Sequence, residues 1–251
     1  MLPILNIGPL AIQFPGLILL VGIWLGIAWT DKTAQNYNLK SNNILSALLV
    51  AVLIGFIAAR IAYFIQFPQA FKANPEAVFA LKTDMLDSFA GVTFGIIGAL
   101  VYLQRHKIPF WALMDSLTSL MAVFMIALAF SQLASGDAFG APADLPWSIF
   151  LWGVDRHPSQ VYAILVSIPI AFFTAPSRRF ITSSPTGTRF LIFVAATALA
   201  RIFLEPFRGD SISMVGNIRL AQIISWGILA LSLWLLNNRF LFSSNSAEVK
   251  G

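Results

Sequence analysis

Long apolar runs separated by short polar breaks dominate the chain. They fall at about 10–29, 44–67, 88–103, 109–133, 158–174, 188–205 and 217–241. A helix needs roughly 20 apolar residues to cross about 30 Å of hydrocarbon. The runs match that length, the third and fifth being short. The pattern predicts an all-α polytopic membrane protein with about seven transmembrane helices. Short alternating segments of the β-barrel kind are absent. Backbone polar groups in lipid must be paired internally, which makes these runs helices. No basic stretch precedes the first run, and Trp24, Gly26 and Trp29 do not resemble a cleavage site, so it is expected to stay as a structural span.

Between the runs, the chain reads as one membrane domain, 1–251. Residues 134–157 mix Gly, Pro and Asp with Trp147, Phe150 and Trp152. Aromatic residues favour the interface, so this segment is expected to lie on the membrane as a partly helical outer arm. Residues 68–87 form a second outer loop, 175–187 a basic inner loop and 243–251 a flexible polar tail. No internal repeat is visible, which argues against a transporter built from duplicated halves. Gly91, Gly95 and Gly98 share a helix face, a pattern of close helix packing or of a wall for a lipid chain.

Composition sharpens this picture. The chain is 58% hydrophobic and 11% charged, with mean hydropathy +0.79. Lys32, Lys40, Arg105, Lys107, Arg178, Arg179, Arg189, Arg239 and Lys250 flank the runs on one side; Lys72, Lys82, Arg156, Arg208 and Arg219 flank them on the other. Nine against five places the first side in the cytoplasm, the N-terminus outside and the C-terminus inside. The net charge of +5 follows from topology, and no basic tract with interleaved aromatics points to nucleic acid. Cysteine is absent and the only histidines are His106 and His157, so thiolate and histidine-rich metal sites are excluded. No phosphate-binding glycine loop or GxSxG elbow occurs, and no cofactor is implied.

The few charges in apolar runs are then the guide to function, because intramembrane charges face a protein interior or a wet cavity. Arg60 lies about two turns inside the second run. Arg201 and Glu205, four residues apart, share a face near the end of the sixth. Pro206 ends that helix and Arg208 follows. His157, Ser159 and Gln160 open the fifth run from the same side, and Asp137 and Asp155 lie in the arm. All map to the outer leaflet. Arginines bind phosphate bidentately and stay ionised when desolvated, so the set suits an anionic lipid head group. Plainer readings stand beside this. Arg201 and Glu205 can form an ion pair that only locks helices, Arg60 can snorkel, and Arg208 and Arg156 can be interfacial charges. His157 or Ser159 can cap the helix that Pro158 begins.

These residues carry a family resemblance. HPSQVY (157–162) resembles the HPSQ-L-Y motif of bacterial prolipoprotein diacylglyceryl transferases. AARIAYFI (58–65), FAGVTFGIIGAL (89–100) and ARIFLEPFRGDS (200–211) are similar to that family's G-A-R-x-x-Y, G-G-x-S-F-H-G-G-x-x-G and R-F-x-x-E-x-x-R-x-x-D segments. The resemblance implies transfer of diacylglycerol from phosphatidylglycerol to the lipobox cysteine of a preprolipoprotein signal peptide, at the bacterial plasma (inner) membrane. The partners it implies are phosphatidylglycerol, that peptide and membrane lipid. The reacting thiol belongs to the substrate. Under this reading His157 and Glu205 are the candidate catalytic residues, and Arg60, Asp137, Gln160, Arg201 and Arg208 the candidate substrate-binding residues.

The chain departs from the family pattern where chemistry is concentrated. The family's third-helix histidine falls at Gly95 and its fourth-helix arginine at Ala129. Its two asparagines become Gln132 and Ser135, its glutamate Asp137, and a tyrosine of the first helix Pro15. Two functions therefore follow: a transferase with a rearranged site, or a non-enzymatic relative that binds lipid or a protein partner in the same cavity.

Overall fold

A computed structural model of the chain describes residues 4–7, 10–69, 85–176, 184–212 and 218–248. Strands β1 (Ile4–Ile7) and β2 (Leu10–Gln13) pair antiparallel, Ile4 opposite Gln13, and lead into α1 (Phe14–Ala34). Helices α2 (Ser41–Gln66), α3 (Ser88–Arg105) and α4 (Phe110–Ser135) follow. A second hairpin, β3 (Ile149–Leu151) and β4 (Val154–Arg156), precedes α5 (Ser159–Phe173), α6 (Thr188–Leu204) and α7 (Leu220–Glu248). The protein is all-α with two small hairpins.

Six of these helices are long and apolar enough to cross a membrane, among the described residues. The seventh, α5, has 15 residues and an internal Pro169. At about 1.5 Å per residue it reaches only about 22 Å. Exposed Trp24, Phe89, Trp226 and Trp234 project from the long helices. In water such surface would be unfavourable, but lipid covers it without cost.

The structure departs from the sequence reading in several places. Residues 10–13, read as the start of the first span, are a strand of the leading hairpin. The 134–157 arm contains a hairpin and no helix beyond the end of α4 at Ser135. Its turn places Trp152 and Gly153 at φ 56° and 80°. Two successive positive φ values suit a two-residue hairpin connection and break a helix. Pro158 is the residue before α5 rather than its first, and no side chain caps that helix. α7 runs to Glu248, through most of the expected tail. Lys72, Lys82, Arg178, Arg179 and Lys250 lie outside the described residues.

The chain divides into two compact units, residues 34–113 and residues 1–33 with 114–251. In the first, α2 and α3 pack through glycine. A Cβ at Gly95 would stand 2.9 Å from the Ala51 carbonyl oxygen, and one at Gly91 would stand 3.1 Å from the Ala59 Cβ. Backbones approach this closely only without side chains. Asp87 caps α3, accepting from Ala90 N (2.7 Å) and from Gln66 Nε2 (2.8 Å). Those two donors hold its carboxyl below the ordinary range.

In the second unit, Ala122 of α4, Ile170 of α5 and Phe193 of α6 form an apolar cluster. A polar cluster lies at the end of α6 where that helix begins. Asp115, buried on α4, accepts from Gly187 N (2.6 Å) and Phe190 N (2.8 Å). It thus caps α6 from another helix. Arg189, also buried, donates to the Thr174 carbonyl at the end of α5 (2.6 Å), to the Asp115 carbonyl (2.6 Å) and to Ser119 Oγ (2.8 Å). Ser119 Oγ lies 2.9 Å from Thr33 Oγ1 of α1. Four helices therefore share one hydrogen-bonded knot.

Replacing Asp115 with Ala strips the Gly187 and Phe190 amides of their carboxylate acceptor and Arg189 of a nearby counter-charge, while the Asp115 carbonyl that Arg189 reaches is kept. Removing one partner of a buried charged network costs about 3–5 kcal/mol. Thermal unfolding in detergent should show a marked fall in midpoint for Asp115→Ala; an unchanged midpoint would refute the knot as a stability element.

Candidate functional site

The end of α6 is shaped by a proline and held by an arginine. Pro206 lies in a single 3₁₀ turn, Glu205–Phe207, after which the chain is extended at Arg208. The turn's carbonyls would lack helical partners. Arg219 supplies them, donating to the carbonyls of Glu205 and Arg208 and to the Ser211 hydroxyl. It also donates to the Pro206 carbonyl at 3.2 Å. Sequence reasoning counted Arg219 only as an outer charge; its position one residue before α7 was the available signal.

The arm braces this turn from the other side. Ala141 N donates to the Phe207 carbonyl and Gly209 N to that of Phe139, both at 2.8 Å. On its opposite edge the same stretch accepts from His157 N at the Ala141 carbonyl (3.0 Å). Gly140 sits where the three segments cross, and any Cβ there would collide with the His157 carbonyl. Arg156 donates to the carbonyls of Leu151 (3.0 Å) and Gly140 (3.1 Å) and stacks over Phe139, so its role is to shape the arm.

Between α4, α5 and α6 this leaves a pocket of about 180 Å³. Ala129, Ser159, Gln160, Tyr162, Arg201 and Arg208 are in its lining, with apolar side chains below them. Drug-sized ligands occupy roughly 300 Å³ or more. The pocket thus has the scale of a head group, not of a whole lipid.

The two arginines are held differently. Arg201 Nε stands 2.7 Å from Glu205 Oε2; the Arg201 side chain is 42% exposed and that of Glu205 is 0% exposed. Neither carboxylate oxygen receives an aligned hydrogen bond among the described residues, so the pairing is Coulombic. The buried acid anchors the arginine while the guanidinium stays accessible to the pocket. Arg208 is engaged at both ends of its fork by Asp210, Nε to Oδ1 at 2.9 Å and Nη2 to Oδ2 at 2.6 Å. A phosphate has the same bidentate geometry as this carboxylate.

The other expected residues fall around the pocket in different roles. Gln160 lines it, is buried, and donates to the Asp137 carbonyl (2.9 Å). Ser159 also lines it and donates to the Ala138 carbonyl (2.7 Å). Asp137 is not in the lining; its exposed carboxylate accepts from Ser135 (2.7 Å). His157 is not in the lining either. Its ring packs edge-on against Phe207, with Nδ1 3.5 Å from the Tyr162 hydroxyl. Tyr162, the last residue of the HPSQVY segment, was not among the expected site residues; it connects the histidine to the pocket and accepts from Trp147 Nε1 (2.9 Å). Arg60 belongs to the 34–113 unit, where it donates to the Met85 carbonyl (2.9 Å). Two of the departures from the family pattern also have structural counterparts. Ala129 is buried in the pocket wall, and Gly95 is committed to helix packing that excludes a side chain.

Fold and pocket together define a multi-pass membrane protein with a two-arginine pocket at the end of one helix. The chain belongs to the prolipoprotein diacylglyceryl transferase family, whose family model matches residues 3–237. It is 30% identical over 259 residues to the phosphatidylglycerol–prolipoprotein diacylglyceryl transferase of Agrobacterium fabrum, covering 92% of this chain and 89% of that protein. It is 25% identical to the Nostoc protein of the same name, over 92% of this chain and 86% of that one. Against the Clostridioides difficile protein, also of that name, identity is 26% over 85% of each.

Arg219→Ala removes the donors that hold the 205–211 turn. Amide hydrogen exchange across 205–212 should accelerate at least tenfold, while the Thr188–Leu204 helix stays protected. Uniform exchange behaviour in both proteins would refute the brace.

Proposed function

We propose that this protein transfers diacylglycerol from phosphatidylglycerol to the cysteine thiol of a preprolipoprotein lipobox. The carrying observation is the pairing of accessible Arg201 with a fully buried Glu205 beside Arg208, in a head-group-sized pocket of a chain from this family. Arg201 and Arg208 hold the donor phosphate, which displaces Asp210 from Arg208. Glu205 sets the direction of Arg201. Gln160 keeps the pocket rim in place through its hydrogen bond to the Asp137 carbonyl.

The chemistry is displacement at carbon. The substrate sulfur attacks the glycerol carbon that carries the phosphate ester. The C–S bond forms, the C–O bond breaks, and its electrons leave with phosphoglycerol. The thiol proton passes to the Tyr162 oxygen as the Tyr162 proton moves to His157 Nδ1. Imidazole suits this step because its unprotonated ring nitrogen accepts a hydrogen bond and a proton. The arginines stabilise charge as it builds on the leaving phosphate.

A second reading has its own support. Ala129 leaves the pocket wall without the guanidinium that the family pattern places there, and Gly95 leaves no room for its histidine. A protein with that pocket binds the lipid and does not turn it over. Purified protein, phosphatidylglycerol and a lipobox peptide separate the two readings. Under the transfer reading, Arg201→Ala loses roughly ten- to a hundredfold in rate, the worth of one charge-assisted contact of about 1.5–3 kcal/mol. Lys72→Ala stays near the parent rate. Lipid retention without any transfer by the parent protein would favour the binding-only reading.

The setting we infer is the bacterial plasma membrane, with the N-terminus outside and the C-terminus in the cytoplasm. The support is the nine-to-five asymmetry of Lys and Arg around the spans. A phosphatase fusion at the C-terminus should be inactive and a fluorescent-protein fusion bright. The opposite pair of signals would overturn this orientation.

A further inference from the structure

The 34–113 unit contains a groove that the transfer chemistry does not use. It encloses about 320 Å³ between α2 and α3 and is walled by Val50, Ile54, Phe94, Ile97, Val101 and Tyr102. Along α3, Phe94, Gly98, Val101 and Arg105 recur at spacings of four, three and four, so they share one helix face. From Phe94 to Arg105 this face is roughly 16 Å long. Gly98 forms the floor: a Cβ there would stand 2.6 Å from Ile54 Cδ1, so a larger residue would raise the floor and close the channel.

The groove is apolar along its length and cationic at one end. Arg105 lines that end, is exposed, and no described residue pairs with it. His106 stacks on Tyr102 with ring centroids 4.2 Å apart, and Lys107 follows in a left-handed conformation that ends the helix. Two fixed cations outweigh the roughly half-unit negative charge of a helix C-terminus. A purely apolar groove would accept any lipid tail. This one ends in a guanidinium, which binds phosphate through a bidentate fork.

We propose that this groove is a second lipid site, which holds one acyl chain of an anionic phospholipid with its phosphate on Arg105. The site lies wholly within residues 34–113 and does not depend on the transfer reading. It gives that unit a fixed lipid contact of its own.

The full-length protein in phosphatidylcholine nanodiscs provides the test. Diazirine-tailed phosphatidylserine, anionic but not the donor proposed above, is compared with the diazirine-tailed phosphatidylcholine analogue, and photoadducts are mapped by peptide. Labelling of residues 94–101 should be roughly tenfold higher with phosphatidylserine. Arg105→Gln should abolish that excess, and Ile97→Trp, which fills the groove, should lower labelling by both lipids. Both changes are on exposed side chains, and Arg105→Gln should leave transfer to a lipobox peptide unaltered. Equal labelling by the two head groups, or an excess that survives Arg105→Gln, would mean ordinary annular lipid and overturn the proposal.

Discussion

Helix ends in an apolar chain must find hydrogen-bond partners within the protein, because lipid offers none. Charged side chains meet that requirement at both ends of α6. Asp115 serves the amides at its start, and Arg189 the carbonyl that ends α5. Arg219 serves the carbonyls of the turn that follows α6. The position of Arg201 and Arg208 depends on both, since one is on the last turn of that helix and the other follows it. The site is thus a consequence of how one helix is terminated.

The arginines divide into two kinds. Arg156, Arg189 and Arg219 hold backbone carbonyls and act as internal solvent for the chain. Arg201 and Arg208 instead face carboxylates beside a pocket, an arrangement that an anion can enter or exchange. Guanidinium suits both tasks, having five donors and a charge that persists when desolvated. Counting arginines around the end of α6 could not separate these roles, because Arg156 and Arg219 lie beside the same turn as Arg201 and Arg208.

Membership of the family coexists with two local departures that have a physical basis. Gly95 allows α2 and α3 to approach through their backbones, and a histidine there would force them apart. Ala129 leaves the α4 side of the pocket without a charge, its lining there being Met125, Leu128, Ala129 and Gln132. The cationic side consists of α6 and the segment after it, where Glu205 gives Arg201 a buried counter-charge. The pocket therefore carries its charge on the α6 side alone, opposite an uncharged α4 side.

Hydrophobic run lengths were enough to establish a helical membrane protein, since only a helix satisfies its own backbone over 20 apolar residues. The i to i+4 spacing of Arg201 and Glu205 likewise carried their pairing, because it is a property of one helix. The HPSQ segment and the arginine segment identified the family before any contact was known. The hairpin in the 134–157 arm was not legible, as its turn depends on positive φ at a tryptophan. The capping of α6 by Asp115 was hidden because donor and acceptor lie about 70 residues apart. Asp137 and His157 shared the right depth but fell beside the pocket rather than in it. Depth along a helix follows from residue number, whereas the direction a side chain faces is decided by packing with segments distant in sequence.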